Sequence, residues 1–101
     1  MAVKNRIGTA MIPEGVTEEK RFYCVDGCVY SNLNDMAVCL THMSSHTFAY
    51  HVGAANNDFS NWVRYVLYDD RLASDLMKAE DATSALKIVR KRIGQLKKNA
   101  G

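Results

Sequence analysis

Phe22-Tyr23-Cys24-Val25-Asp26-Gly27-Cys28-Val29-Tyr30 is the stretch on which the fold turns. Aromatic and β-branched residues flank Asp26-Gly27, a dipeptide that tolerates the positive φ angles of a tight turn, so the nine residues read as a β-hairpin. A two-residue type I′ turn at Asp26-Gly27 sets Val25 opposite Cys28 and Cys24 opposite Val29. Neighbouring pairs then point to opposite faces, and Cys24 and Cys28 diverge.

Downstream of the hairpin the apolar period changes from two to between three and four. Asn32 can cap a helix, with Asp35 suiting its first turn and Leu33, Met36, Ala37, Leu40 and Met43 on one face. Ser44-Ser45 stops that pattern and offers a cap for a short helix around His46 to His51, which carries Phe48 and Val52. After a loop over 53–56, Asn57 or Asp58 caps a helix striped by Phe59, Trp62, Val63, Val66 and Leu67. Asp69 or Asp70 caps the next, with Leu72, Ala73, Leu76 and Met77 facing inward. Asp81 opens the last, where Ala82, Ala85, Leu86, Val89, Ile93 and Leu96 form the cleanest stripe in the chain. One hairpin followed by a run of helices predicts a mainly α protein of the α+β class, with about five helices packed over a two-stranded ribbon.

Upstream, residues 1–20 lack periodicity and hold the only proline, Pro13, beside Glu14-Gly15. They read as a flexible arm, with one globular domain over 21–98 and a short tail at 99–101. A chain of 101 residues, 48% hydrophobic and 24% charged, is the size and composition of one ordinary globular domain. No apolar run approaches the ~18 residues of a membrane span, and the first dozen residues do not have the pattern of a secretory signal. Three cysteines make a poor disulfide framework and suit reducing surroundings, so the expected setting is cytoplasmic, without membrane attachment.

Charge is unevenly distributed. Residues 1–81 carry seven basic and eleven acidic side chains, whereas 82–101 carry Lys87, Arg90, Lys91, Arg92, Lys97 and Lys98 with no acid. Lys87, Arg90, Lys91, Lys97 and Lys98 fall off the apolar stripe, which suits contact with nucleic-acid phosphates or an acidic partner. The same charges also complement the helix dipole and the acidic body. The segment lacks the interleaved aromatics on which single strands stack.

Three further groups of residues bear chemistry. Cys24, Cys28, Cys39 and His42 have the atoms of a Cys₃His zinc site; a two-residue turn separates the first two, a longer turn with a bulge would bring them together, and small buried thiols account for them better. A nucleophilic cysteine with one of His42, His46 or His51 needs a lowered thiol pKa that nothing in the sequence marks. Around the 53–56 loop stand Phe48, Tyr50, His51, Asn57, Asp58, Phe59, Asn61 and Trp62. His51 with Asp58 could be a proton-transfer pair or a small-ligand contact. Caps, core rings and a cross-loop hydrogen bond explain the same residues as structure. No phosphate-cradling Gly loop, G-x-S-x-G or H-E-x-x-H occurs, so no catalytic residue, enzyme activity or cofactor is expected.

The order Phe48-Ala49-Tyr50-His51-Val52, then Asn57-Asp58-Phe59-Ser60-Asn61-Trp62-Val63, then Asp70-Arg71-Leu72-Ala73 resembles a family of short prokaryotic proteins described only as a domain of unknown function. The resemblance, F-x-Y-H-V followed by N-D-F-x-N-W-V and D-x-L-A, spans residues 21–93. It implies the hairpin-and-helices fold and points to His51, Asn57, Asp58, Phe59 and Trp62 as the positions a shared function would use. It brings no substrate or cofactor with it. The expected function is a non-catalytic interaction or regulatory module with a protein partner on an exposed helical face. Arg64, Tyr65 and Tyr68 lie off the apolar stripe and are the hot-spot residue types for such a face. Nucleic-acid binding through the last helix is the alternative, and a small-ligand or enzyme site near His51 and Asp58 the second. Monomer and homodimer are both compatible with the pattern.

Overall fold

The structure, a computed structural model, describes residues 15–100. A 3-10 turn at Glu18–Lys20 leads into strands β1 (Phe22–Tyr23) and β2 (Val29–Tyr30). Five α-helices follow among the described residues: α1 (Leu33–Thr41), α2 (Ser45–His51), α3 (Asp58–Tyr65), α4 (Asp70–Leu76) and α5 (Ala82–Ala100). The α+β class and the N-terminal ribbon stand as the sequence implies. Helix α1 packs on β2 and along α5, α3 packs on α4, and α4 on α5.

Each helix begins where a short polar side chain can satisfy its free amides. Asn32 accepts from the Asp35 amide, Ser44 from Thr47, Asn57 from Ser60, Asp69 from Leu72 and Asp81 from Ser84. The Asp35 carboxylate turns back to accept from both the amide and the hydroxyl of Ser31, which ties the entry of α1 to the end of β2.

The hairpin corrects the sequence reading. Its register is Phe22 opposite Tyr30 and Tyr23 opposite Val29, one residue away from the expected pairing. The connection is three residues long, Val25-Asp26-Gly27: the Gly27 amide donates to the Cys24 carbonyl and the Cys24 amide to the Cys28 carbonyl, each at 2.9 Å. Gly27 takes φ +93°, the left-handed residue that closes such a loop, and Asp26 Oδ1 accepts from the Cys28 amide at 2.9 Å. A one-residue shift exchanges the faces of a strand. Phe22, Cys24 and Tyr30 therefore turn inward, while Tyr23 and Val29 face out.

Built structure also starts before residue 21. Gly15 passes so close to the Ser31 backbone that no Cβ fits, at φ +70°. The Val16 amide bonds the Ser31 carbonyl at 2.8 Å, and the Val16 side chain joins the core. Over 1–14 the expected arm lies outside the described residues. At the other end α5 continues to Ala100, past the expected boundary at 98. Met77, expected to face inward on α4, is exposed. No helix among the described residues is long and apolar enough to cross a membrane.

Candidate functional site

An aromatic cluster forms where the ribbon meets α2 and α3. Phe22 lies at its centre, with ring centroids 5.0 Å from Tyr30, 5.1 Å from His51, 5.3 Å from Phe59 and 6.1 Å from Trp62. Phe48 stacks on Phe59 at 5.8 Å. The inward register of β1 and β2 creates this cluster, since the expected pairing would place Phe22 and Tyr30 on different faces.

His51 closes the joint. Its side chain is 6% exposed, and both ring nitrogens are engaged. The Val25 amide donates to Nε2 at 3.1 Å, which makes Nε2 the acceptor and leaves the proton on Nδ1. Nδ1–H then donates to Asp58 Oδ2 at 3.0 Å. One neutral imidazole thus links the hairpin tip to the first turn of α3. An Asp-oriented histidine has the form of a general base, but here the nitrogen that would take a substrate proton accepts a backbone amide instead.

The neighbouring amides are used in the same way. Asn57 is the cap of α3, and its Nδ2 donates to the Leu76 carbonyl at 3.1 Å, so one buried side chain starts α3 and holds the end of α4. Ser60 Oγ donates to the Ala73 carbonyl at 2.7 Å, a second tie between those helices. Asp58, the other candidate cap, serves His51 and accepts from Asn56 Nδ2 at 2.7 Å. Asn61 donates to Asn56 Oδ1 at 3.0 Å on the exposed side of the loop. Trp62 is buried, and its Nε1–H donates to the Lys20 carbonyl at 2.8 Å. Tyr50 alone of the eight joint residues shows an exposed ring. The structure therefore gathers all eight into one neighbourhood by hydrogen bonds or ring contacts, the exposed Tyr50 only through its edge-on contact with His51 at 4.9 Å.

The cysteines depart from expectation. Cys28 and Cys39 are joined as a disulfide, with Cα atoms 6.3 Å apart, and Cys24 is a buried free thiol. The three-residue turn is the physical reason: it brings Cys28 round to face α1. The expectation of three free thiols fails at this pair. The Cys24, Cys28, Cys39 and His42 set does not assemble either, because two members are bonded to each other and His42 is exposed at the end of α1. No group of three or more metal-ligating side chains occurs among the described residues. Above Cys24 lies the Tyr30 hydroxyl, buried and without an oxygen or nitrogen partner among the described residues. Burial pushes the Cys24 thiol up from its ordinary pKa, and it pushes Tyr30 up as well, with the adjacent Cys24 thiol adding to that shift.

The outer face of α5 is a different kind of surface. At about 100° per residue, Lys87, Arg90, Lys91, Lys97 and Lys98 fall within an arc of about 120°, on the far side of the helix from the Ala85, Val89 and Leu96 stripe. All five are exposed, and none reaches a carboxylate at ion-pair distance among the described residues. Gly94 sits at the middle of the arc with open space where a side chain would stand. The sixth cation behaves otherwise. Arg92 turns inward and its Nε donates to Asp69 Oδ2 at 2.7 Å, with the Asp69 side chain 2% exposed. Asp69 thereby caps α4 with one oxygen and anchors α5 with the other, a double role that the sequence did not reveal because the partners are 23 residues apart.

Two other surfaces complete the description. Tyr65 is 69% exposed, while the neighbouring Arg64 is half-buried and reaches Asp70 at 3.5 Å. A shallow cleft of about 320 Å³ at the start of α5 is lined by Lys78, Glu80, Asp81, Thr83, Ser84 and Lys87, charges of both signs. Compared with protein-family models, curated proteins and solved structures, the chain gives no match in any of the three.

Proposed function

We propose that this chain is a small non-catalytic module that binds nucleic acid through the outer face of α5. The observation that carries the proposal is the set of five exposed cations, aligned on one helix face, without an acidic partner among the described residues. The eleven steps from Lys87 to Lys98, at about 1.5 Å rise each, span about 16 Å, the axial length of about five phosphates along one strand. The bare backbone at Gly94 lets a phosphate come close without meeting a side chain. Contact of this kind neutralises phosphates and releases counterions without reading sequence. The non-catalytic half of the proposal is supported by the joint, where His51, Asn57, Ser60 and Trp62 direct their polar atoms into the protein itself. A cytoplasmic setting belongs to this proposal as well.

Fluorescence anisotropy with mixed-sequence duplex DNA and RNA at stepped salt tests it. Affinity should fall steeply as salt rises, with a log–log slope of up to about −4.5 for five contacts on duplex DNA. Replacing Lys87, Arg90, Lys91, Lys97 and Lys98 by Ala together should abolish the signal while the helical circular dichroism stays. Absence of binding at low salt, or an unchanged affinity in that variant, refutes it. A protein partner at Tyr65 is the second reading, supported by its exposed ring beside Arg64. Loss of a co-purifying protein on Tyr65→Ala would favour it.

A further inference from the structure

We propose that the Cys28–Cys39 bond is a reversible thiol switch that fastens the hairpin to α1 and is opened by dithiol reductants. It stands apart from the α5 reading and rests on placement. The bond joins the residue that starts the second arm of the hairpin to the buried side of α1, across 11 positions of sequence. The rest of the turn is loosely covered: Val25, Asp26 and Gly27 are all exposed, and among the described residues its other tether is the hydrogen bond from the Val25 amide to His51. Cys28 is half-buried at this accessible edge, while Cys39 is buried, so an incoming thiolate meets the Cys28 sulfur first. Cys24 lies directly across the hairpin from Cys28 yet stays out of the exchange. Its thiol is enclosed beneath Tyr30, and burial disfavours the thiolate form that would attack the neighbouring disulfide. The third cysteine therefore does not scramble the pair.

The exchange balances with a dithiol as reductant. Its thiolate bonds to Cys28 Sγ, the Cys28–Cys39 bond breaks, and Cys39 leaves as a thiolate that takes a proton from water. The second thiol of the reductant loses its proton, displaces Cys28 from the mixed disulfide and closes the reductant into a ring. Cys28 is released as a thiolate and is protonated in turn. Two electrons pass from the two reductant sulfurs to Cys28 and Cys39. With the bond open, the ribbon keeps its ring contacts to the core and the Ser31–Asp35 bonds to the start of α1, while the covalent tie of the turn is gone and the Val25–His51 bond opens more often. Cytosolic disulfides, where they occur, are commonly of this transient, redox-sensing kind.

The test is a titration of the full chain in defined ratios of reduced and oxidised dithiothreitol, read by thiol alkylation with mass spectrometry and by amide hydrogen exchange. Oxidised protein should show one alkylatable thiol after unfolding, Cys24, and reduced protein three, with the change reversed on reoxidation. On reduction the amides of Cys24, Val25 and Gly27 should exchange at least about tenfold faster while those around Val89 in α5 hold their rates. The Cys28→Ser/Cys39→Ser double variant should reproduce the reduced pattern without reductant, and Cys24→Ala should leave the switch intact. Three free thiols in air-oxidised protein would overturn the proposal. So would hairpin exchange rates that ignore reduction, or loss of α5 protection together with the hairpin, which would make the bond a global staple. Should the double variant not fold, the wild-type titration decides alone.

Discussion

The joint around His51 and the outer face of α5 both concentrate polar side chains, and they dispose of them in opposite ways. At the joint the polar atoms of His51, Asn57, Ser60 and Trp62 end on a backbone group or side chain of the same molecule. On α5 five cations end in solvent, while the one cation that turns inward, Arg92, finds a buried carboxylate. Residue type does not separate the two regions, because histidine, asparagine and tryptophan are common at active sites and lysine is common on plain surfaces. Satisfaction does. A buried polar group left unpaired costs far more than a paired one contributes, so an internal joint is under pressure to close on itself, and an exposed charge is under no such pressure. Chemistry toward other molecules belongs where the groups remain open.

The contrast can be broken or sharpened by measurement, beginning with the largest effect. Phe59→Ala removes the ring that touches Phe22, Tyr30 and Phe48, and a loss of about 4 kcal/mol in urea unfolding is expected. Folded protein that remains should keep its nucleic-acid salt slope. Asp69→Ala strands the Arg92 guanidinium beside an uncapped α4, at an expected cost of about 3 kcal/mol. The Asp69→Ala/Arg92→Met double variant should recover part of that loss, and failure to recover any would show that capping outweighs the ion pair. Asn57→Ala loses both a cap and a buried donor, for about 2 kcal/mol. Single Ala substitutions at Lys87, Lys91, Lys97 or Lys98 should each stay within about 0.5 kcal/mol in stability. A joint variant that keeps full stability but loses binding would erase the distinction between the two regions.

Asp81 gives the smallest effect, visible only against pH. Bonds from the Ser84 hydroxyl, and then from its amide, hold this exposed carboxyl below its ordinary pKa. A depressed folded value means that its contribution is present above the ordinary carboxylate range and is lost as pH falls through the lowered value. Carboxyl titration by NMR should place its midpoint below that of Asp81 in an unfolded peptide, and Asp81→Asn should remove the corresponding slope from the acid limb.

Local chemistry was legible in the sequence, and distant chemistry was not. Asn32, Ser44, Asn57, Asp69 and Asp81 could be read as caps because a cap and its amide lie three residues apart. The hairpin could be located for the same reason. Its register could not, since Asp-Gly suits both a two-residue loop and a longer one closed by a left-handed glycine, and the core face of Phe22 and Tyr30 decides between them. The Cys28–Cys39 bond follows from that register, so it was hidden with it. Val16 escaped notice because a single apolar residue beside Gly15 has no period to reveal it, and the Asp69–Arg92 pair because it crosses two helices. At the joint the residues were identified as a group, while the direction in which each one spends its hydrogen bonds became clear only in three dimensions.

Trp62 is the chain's sole tryptophan, and its indole N–H ends on the carbonyl of Lys20, just ahead of the ribbon. The molecule thus carries one indole, excitable apart from its five tyrosines at the red edge of the absorption band, set into the seam between its earliest described turn and its third helix. Emission wavelength and acrylamide quenching of that single ring report, without any added label, whether the seam is shut, and they do so in the same cuvette as an unfolding or binding titration.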